Sequence, residues 1–544
     1  MQAVVSGPGS REQPKDSSSC TQDSSSHDCQ KPLPETASDL VARTDERRRA
    51  ATSELDATRQ IALGQYFTPS QVALFMAKLA KLPTGGRVRI LDPGAGVGSL
   101  AAALVAYLAT ERSDLSFELT AFELDSTLVH RLTETMNECQ RLAVEHDMSL
   151  TFRVLNADFV TWGTDRIGTE GLWQSEQELF DIIITNPPYK KINVSSRERR
   201  ALKAAGIDAS NIYAGFLALC AAMLSKHGQM IAITPRSFAN GAYFRAFRRY
   251  LLERVSLTRL HVFESRRHAF ADNDVLQENV IFRAVRRDDQ IRPDVLLSTS
   301  NSPGSPVTAR LVPFDQVVFP SDPEQFIHIS HDEGDSAVAA AVAALPCSLN
   351  DLGLKVSTGR VVDFRASEHL RNDPAEDTVP LIYPLHFKDG GISWPIPGAR
   401  KPNALVDCED TASLLLPMGN YVVVRRMSSK EERRRITAAT FDAQDFSGEK
   451  IAFENHLNVV HENNNGVPIT LARGLAIWLS STAVDRAIRQ FSGHTQVNAT
   501  DLRQMRYPNR ETLATLGAAY GLAGLSQEKI DTLVAEHVGI NVGA

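Results

Sequence analysis

Short apolar runs alternate with longer stretches of helical spacing from about residue 88 onward. Val88-Arg89-Ile90-Leu91 reads as a strand and Ser99 to Leu108 as the start of an apolar helix, with Asp92-Pro93-Gly94-Ala95-Gly96-Val97-Gly98 as the turn between them. Leu119 to Asp125, Thr151 to Leu155 and Phe180 to Thr185 each read as a further strand. Strands that alternate with helices predict a mostly parallel sheet covered on both faces, the doubly wound α/β class. The alternation continues to about Arg287, and Asp288 to Thr308, rich in Asp, Ser and Pro, reads as a boundary.

In an open α/β sheet ligands bind outside the carboxyl ends of the strands, so the residues that follow each run carry the chemical information. After the first strand, Gly94, Gly96 and Gly98 let a backbone approach a ligand closely, with a helix N-terminus behind them. That turn alone is shared with dinucleotide-binding folds. Glu123, at the end of the second strand, is placed to accept both hydroxyls of a ribose. Asp158 and Phe159, after the third, offer a carboxylate and a ring that would hold an adenine by its amino group and its face. Each of these acids read alone is more often a solvated residue at a strand end.

The fourth strand runs into Asn186-Pro187-Pro188-Tyr189. The exocyclic nitrogen of a nucleobase is a poor nucleophile because its lone pair is delocalised into the ring. Two acceptors, the Asn186 side-chain oxygen and the Pro187 carbonyl, would each take one N–H and turn that lone pair towards an electrophile. Successive prolines have fixed φ and no N–H, which holds such a carbonyl still. Tyr189 then offers a face for a base taken out of its helix. An ordinary Pro-Pro loop after a buried strand is the plain alternative for the tetrapeptide in isolation.

Glycine turn, ribose acid, adenine acid and Asn-Pro-Pro-Tyr come in this order on successive strands. In that order the chain resembles the S-adenosylmethionine-dependent adenine-N6 methyltransferases of DNA, of the restriction-modification type whose recognition domain follows the catalytic one. The resemblance takes in Gly64-Gln65-Tyr66-Phe67-Thr68-Pro69, which is similar to the segment that closes over the methionine end of the cofactor. It also takes in Asn211 to Phe216, a helix start, and Gly228 to Arg236, a strand with its Thr234-Pro235-Arg236 turn. It implies that Thr68 and Asp92 contact the methionine moiety, Glu123 the ribose, and Asp158 and Phe159 the adenine ring of S-adenosyl-L-methionine. Asn186, Pro187 and Tyr189 would hold the target adenine, with Phe270 in His268-Ala269-Phe270 sandwiching it from the other side. Within the group, Thr234 to Phe282 resembles the methylases that partner restriction enzymes cutting CTGCAG. A Rossmann-like methyltransferase domain followed by a mixed α/β recognition domain is the fold implied.

At 544 residues the chain has room for about three or four units. Residues 1–40, with Ser17-Ser18-Ser19 and Ser24-Ser25-Ser26, read as a disordered tail. Residues 41–287 read as the catalytic domain, 288–344 as a linker region, 345–510 as the target recognition domain and 511–544 as a helical tail. A formal net charge of −7 does not exclude DNA, because phosphate contacts depend on local patches. Lys190 and Lys191 follow the catalytic loop directly, and Arg425, Arg426 and Arg433 belong to the densest basic cluster. These are the expected DNA-binding residues, and double-stranded DNA the expected partner.

The six cysteines show no paired metal spacing, and none lies in the motifs, which argues against a cytosine-C5 mechanism through a cysteine nucleophile. No run approaches the ~20 apolar residues of a membrane span, and the N-terminus lacks the apolar core of a secretory signal, so the expectation is the cytoplasm. A separate restriction endonuclease is a partner the resemblance allows. Two other functions share parts of the pattern: amino-group methylation of RNA or of a protein glutamine, and a catalytically silent DNA-specificity subunit.

Overall fold

A computed structural model of the chain describes residues 35–54, 64–83, 85–111, 115–167, 179–263, 279–287, 292–320, 322–329, 333–428, 432–491 and 496–542. Nine strands form its main sheet: β1 Arg87–Asp92, β2 Ser116–Phe122, β3 Ser149–Leu155, β4 Phe180–Thr185, β5 Leu224–Pro235, β6 Val255–Phe263, β7 Asn279–Arg286, β8 Val295–Ser300 and β9 Thr308–Val312, in the order 3-2-1-4-5-7-6-8-9. β1 to β5 are parallel, and β7 runs antiparallel between β5 and β6.

The apolar run of β4 explains how the sheet is covered. Side chains alternate between faces along a strand, so Ile182 and Ile184 enter one core and Ile183 the other. The same alternation places Ile90 and Leu91 on opposite faces of β1. The helices Ser70–Ala77, Ser99–Glu111 and Ser126–Glu145 cover one face, and Phe159–Thr164, Ile212–Ala222 and Arg245–Arg254 cover the other. β1 has β2 on one side and β4 on the other, so the chain direction across the sheet reverses there and opens a crevice at the carboxyl ends.

Within the expected linker region 288–344, residues 295–312 instead belong to the main sheet. β8 pairs with β6 and β9 with β8, extending the main sheet, because Leu296, Leu297 and Thr299 keep the β-rich pattern despite the polar residues around them. Most of residues 1–40 lie outside the described residues, but Glu35 to Leu40 begin a helix, Glu35–Glu54, that packs on the catalytic core. Arg47 of this helix pairs with Glu138, and burial of Leu40 anchors it further.

Beyond the main sheet, a four-stranded sheet (Lys355–Thr358, Leu457–His461, Tyr421–Arg425, Ala438–Phe441) and a five-stranded one precede a helical layer. The described part of the expected tail, residues 511–542, belongs to that layer: Leu513, Leu516, Ile530 and Leu533 share a core with Trp478. The helices Ile469–Leu479 and Arg510–Ala519 touch backbone to backbone at paired glycines. A Cβ on Gly474 would lie 1.8 Å from the Leu513 carbonyl oxygen, and one on Gly517 1.8 Å from that of Thr470. Neither contact can be relieved by a side-chain rotation. Gly517→Ala is expected to lower unfolding stability by about 3 kcal/mol, the upper part of the range for overpacking, read as a lower urea midpoint with unchanged slope.

Candidate active site

The carboxyl ends of β1 to β4 meet around one cavity of about 410 Å³, within the range of small-molecule sites. Gly94, Gly96, Glu123, Asp158, Phe159 and Asn186 lie in its wall, as do Lys190 and Lys191. Thr68, Asp92, Gly98, Pro187 and Tyr189 do not.

The three glycines of the first turn have different reasons to be glycine. Gly96 and Gly98 have φ of 57° and 89°, and a Cβ at either would meet Phe67 or Thr135 at 3.0 Å. Gly94 has room for a Cβ against Phe216 at 3.6 Å, so there a side chain would intrude on the cavity rather than strain the chain.

Glu123 ties this turn to the second strand. Its Oε2 accepts the Gly96 N–H at 2.8 Å and its Oε1 the Asp125 N–H at 2.7 Å. Burial raises its pKa, opposed by those backbone donors. Each oxygen retains a lone pair for a hydroxyl group. Asp158 caps the helix Phe159–Thr164, accepting from the Val160 and Thr161 N–H groups at 3.1 and 3.2 Å. Phe159 is held between Phe122 and Phe216, with ring centroids 5.4 and 5.0 Å away.

Asp92 is fully buried at the end of β1, and burial lifts its carboxyl to about 8. The Gly94 and Ala101 N–H groups lower it and the Glu123 charge raises it further. Neither Asp92 oxygen makes a well-formed hydrogen bond among the described residues, so those N–H groups act on it only loosely. Such an acid fits a cationic group close by, and the donor set as a whole fits a nucleoside that carries an ammonium.

The Asn-Pro-Pro-Tyr loop is gripped by segment 64–68. The Tyr189 N–H donates to the Gly64 carbonyl at 3.0 Å, and Tyr66 stacks on the Tyr189 ring at 5.6 Å. Asn186 Nδ2 donates to the Tyr66 carbonyl at 2.8 Å and to Thr68 Oγ1 at 3.0 Å. Both amide protons are thereby used, which identifies Oδ1 as the acceptor. The Tyr189 hydroxyl, whose pKa burial pushes well up, donates to that Oδ1 at 2.8 Å. Tyr189 thus does not present an open aromatic face on both sides, because its neighbour Tyr66 covers one of them. The tetrapeptide could not reveal this, since Tyr66 lies on a separate segment.

Gly64 makes the grip sterically demanding. It has φ of 66°, and a Cβ would lie 3.0 Å from both the N and the C atom of Tyr189. Gly64→Ala combines a left-handed cost of roughly 1–2 kcal/mol with a shift of the loop. We expect kcat to fall about tenfold or more, with cofactor affinity affected less.

The basic residues divide into two groups. Lys190 and Lys191 are exposed at the cavity rim. Arg425 instead donates to the Pro384 carbonyl at 3.0 Å and lies over Phe387, and Arg426 donates to the Asn455 carbonyl at 2.8 Å. Their neighbour Arg435 is fully buried, and only Arg433 of the three predicted residues is exposed. Guanidinium donors here satisfy turn carbonyls inside the domain, so density in sequence did not mean density on the surface. Phe270 lies outside the described residues.

Sequence reasoning passed over Arg236. It is buried beside the C-terminal end of β5, and its guanidinium donates to the Ile329 carbonyl at 3.2 Å and the Gln490 carbonyl at 2.7 Å. It thereby ties the catalytic rim to the helix Thr482–Phe491. Its place in a Thr-Pro-Arg turn after a strand was the available signal. Farther off, His369, Cys408 and Asp410 come within 4.8 Å of one another, but Cys408 caps a short 3-10 turn with Thr411 there and the cluster is partly exposed.

Residues 104–270 match the Eco57I restriction-modification methylase family. The chain is 40% identical to the type II methyltransferase M.PstI of Providencia stuartii, over 90% of its own length and 96% of that protein's. It is also 40% identical to the type II methyltransferase M.BsuBI of Bacillus subtilis, over 87% of its length and 93% of that protein's. Among solved structures, the type IIL restriction-modification enzyme MmeI in complex with DNA shares the fold at a TM-score of 0.53 and 12% identity, covering 84% of this chain and 71% of that one. No helix among the described residues is long and apolar enough to cross a membrane.

Proposed function

The chain belongs to the type II methyltransferases of restriction-modification systems, which methylate DNA, and on that premise we propose that it methylates the N6 amino group of adenine within a specific double-stranded sequence. S-adenosylmethionine, when bound, supplies a methyl group on a positively charged sulfur. Glu123 would hold its ribose, Asp158 and Phe159 its adenine, and Asp92 its ammonium.

The observation that carries the reading is the fixed amide of Asn186. Its two N–H groups are engaged by Tyr66 and Thr68, and Oδ1 is left to accept. An amide oxygen accepts two hydrogen bonds, so the target amino group can join or replace the Tyr189 hydroxyl there. With Pro187 as the second acceptor, both N–H groups of the adenine are held, and the nitrogen lone pair is released from the ring towards the methyl group. Displacement would then be direct, with the neutral thioether as leaving group and the surplus proton passing to solvent, and no covalent enzyme intermediate is needed. Positioning and exclusion of water supply the acceleration. Lys190 and Lys191 at the rim would meet phosphates beside the extruded base, and Arg433 others on the second domain.

Labelled methyl transfer to unmethylated plasmid DNA containing CTGCAG, to total RNA and to a release-factor protein tests the substrate class. Incorporation into double-stranded DNA alone is expected. Transfer to RNA or protein with none to DNA would sink this reading.

A further inference from the structure

The resemblance gives Thr68 a role at the methionine end of the cofactor, and its geometry adds a second one at Asn186. Thr68 is 4% exposed, and its hydroxyl oxygen accepts from Asn186 Nδ2 at 3.0 Å. We infer that Thr68 is a positioning residue for the catalytic amide: with the Tyr66 carbonyl it fixes the plane and orientation in which Asn186 Oδ1 receives the target amino group. The inference rests on the proposed adenine methylation and deepens it.

An asparagine amide is almost symmetric in shape, and its oxygen and nitrogen exchange places by a half-turn about one bond. Only the partners decide which end faces the substrate. Here a carbonyl, which cannot donate, stands 2.8 Å from Nδ2, so the reversed amide would set oxygen against oxygen. On the nitrogen side the carbonyl alone would be a single contact, and the Tyr189 hydroxyl on Oδ1 is a partner that the incoming amino group shares or replaces. The Thr68 hydroxyl takes the second N–H and makes the arrangement two-point. Backbone contacts keep both acceptors in place. The Ala73 N–H donates to the Pro69 carbonyl at 2.9 Å, which starts the helix Ser70–Ala77 directly after Thr68. Upstream, the Gly64 carbonyl accepts the Tyr189 N–H, which joins segment 64–68 to the catalytic loop backbone to backbone.

Thr68→Val keeps the shape and removes the acceptor, whereas Thr68→Ser keeps the acceptor and loses only a methyl group. A residue that merely fills space would tolerate the first change better than the second. For Thr68→Val we expect kcat on DNA to fall roughly 10- to 100-fold, with the dissociation constant of S-adenosylmethionine, measured by calorimetry, within about twofold of the parent's. Thr68→Ser should match the parent in both quantities. A fall in cofactor affinity that accounts for the lost rate, an unchanged kcat in Thr68→Val, or a failure of serine to restore it would each overturn the assignment.

A second readout does not depend on any methyl acceptor. With 15N-asparagine labelling, the side-chain signal of Asn186 is identified by its loss in Asn186→Ala. Its protons should exchange slowly in the parent and in Thr68→Ser, and faster in Thr68→Val. If the parent formed no N6-methyladenine while this response held, the proposed reaction alone would fall. If the parent methylated adenine and the exchange did not change, Thr68 would lose its role.

Discussion

Asn186→Ala is expected to lower kcat for methyl transfer to DNA by about 10²- to 10³-fold, the scale on which a preorganised hydrogen-bonding group at a reacting centre acts. The loss should fall on kcat rather than on the binding of S-adenosylmethionine, since Glu123, Asp158 and Phe159 remain in the cavity wall. Two effects combine in the variant. The acceptor for one adenine N–H disappears, and the Tyr66 carbonyl and Thr68 hydroxyl lose the group they held. Asn186→Asp discriminates between them: it keeps an acceptor but has no N–H for those two partners, so it should also be impaired. Single-turnover kinetics at saturating cofactor reads the chemical step directly. A variant that lost cofactor affinity and kept its single-turnover rate would show that Asn186 serves the cofactor and not the base.

Asp92→Asn should separate binding from stability. Burial holds the folded carboxyl at about 8, against the ordinary carboxylate value of about 3.8 in the unfolded chain. Its proton is therefore bound more tightly in the folded state. Below about 3.8 both states are protonated; from there to about 8 the unfolded chain has lost its proton and the folded one has not, so stability falls as pH rises through this window. Asparagine removes that penalty. The unliganded variant should be more stable than the parent at pH 8, by on the order of a few kcal/mol, with the difference shrinking towards pH 4.

Cofactor binding should move the other way. A cationic ammonium beside Asp92 favours the ionised carboxylate, so binding by the parent should release a proton below pH 8 and tighten as pH rises from 6 to 8. The variant should bind about tenfold more weakly or worse at pH 8, without that slope. Calorimetry in two buffers of different ionisation enthalpy measures the proton directly. Equal affinities and equal slopes for the two proteins would remove Asp92 from the cofactor site.

The sequence made the site legible wherever the chemistry sits beside its own strand. Gly96, Glu123, Phe159 and Asn186 each follow a strand that announces itself by an apolar run, and parallel pairing then brings them to one cavity. What stayed hidden depends on contacts between distant segments. The Tyr66 ring on Tyr189 and the Thr68 hydroxyl on Asn186 join residues more than a hundred positions apart, and no local pattern encodes them. The basic cluster misled for a related reason. An arginine next to other arginines looks solvated in sequence, yet Arg425, Arg426 and Arg435 each find carbonyls in neighbouring turns. The boundary near residue 300 failed because polar edge strands such as β9, half open to solvent, share the composition of a linker.

The most direct measurement is nucleoside mass spectrometry of DNA from cells expressing the parent chain, beside DNA from cells expressing Asn186→Ala in a host without adenine methylation of its own. Adenine-N6 methylation through Asn186 predicts N6-methyladenine in the first and none above background in the second. N4-methylcytosine or 5-methylcytosine in place of N6-methyladenine, or N6-methyladenine undiminished by loss of the Asn186 amide, would contradict it.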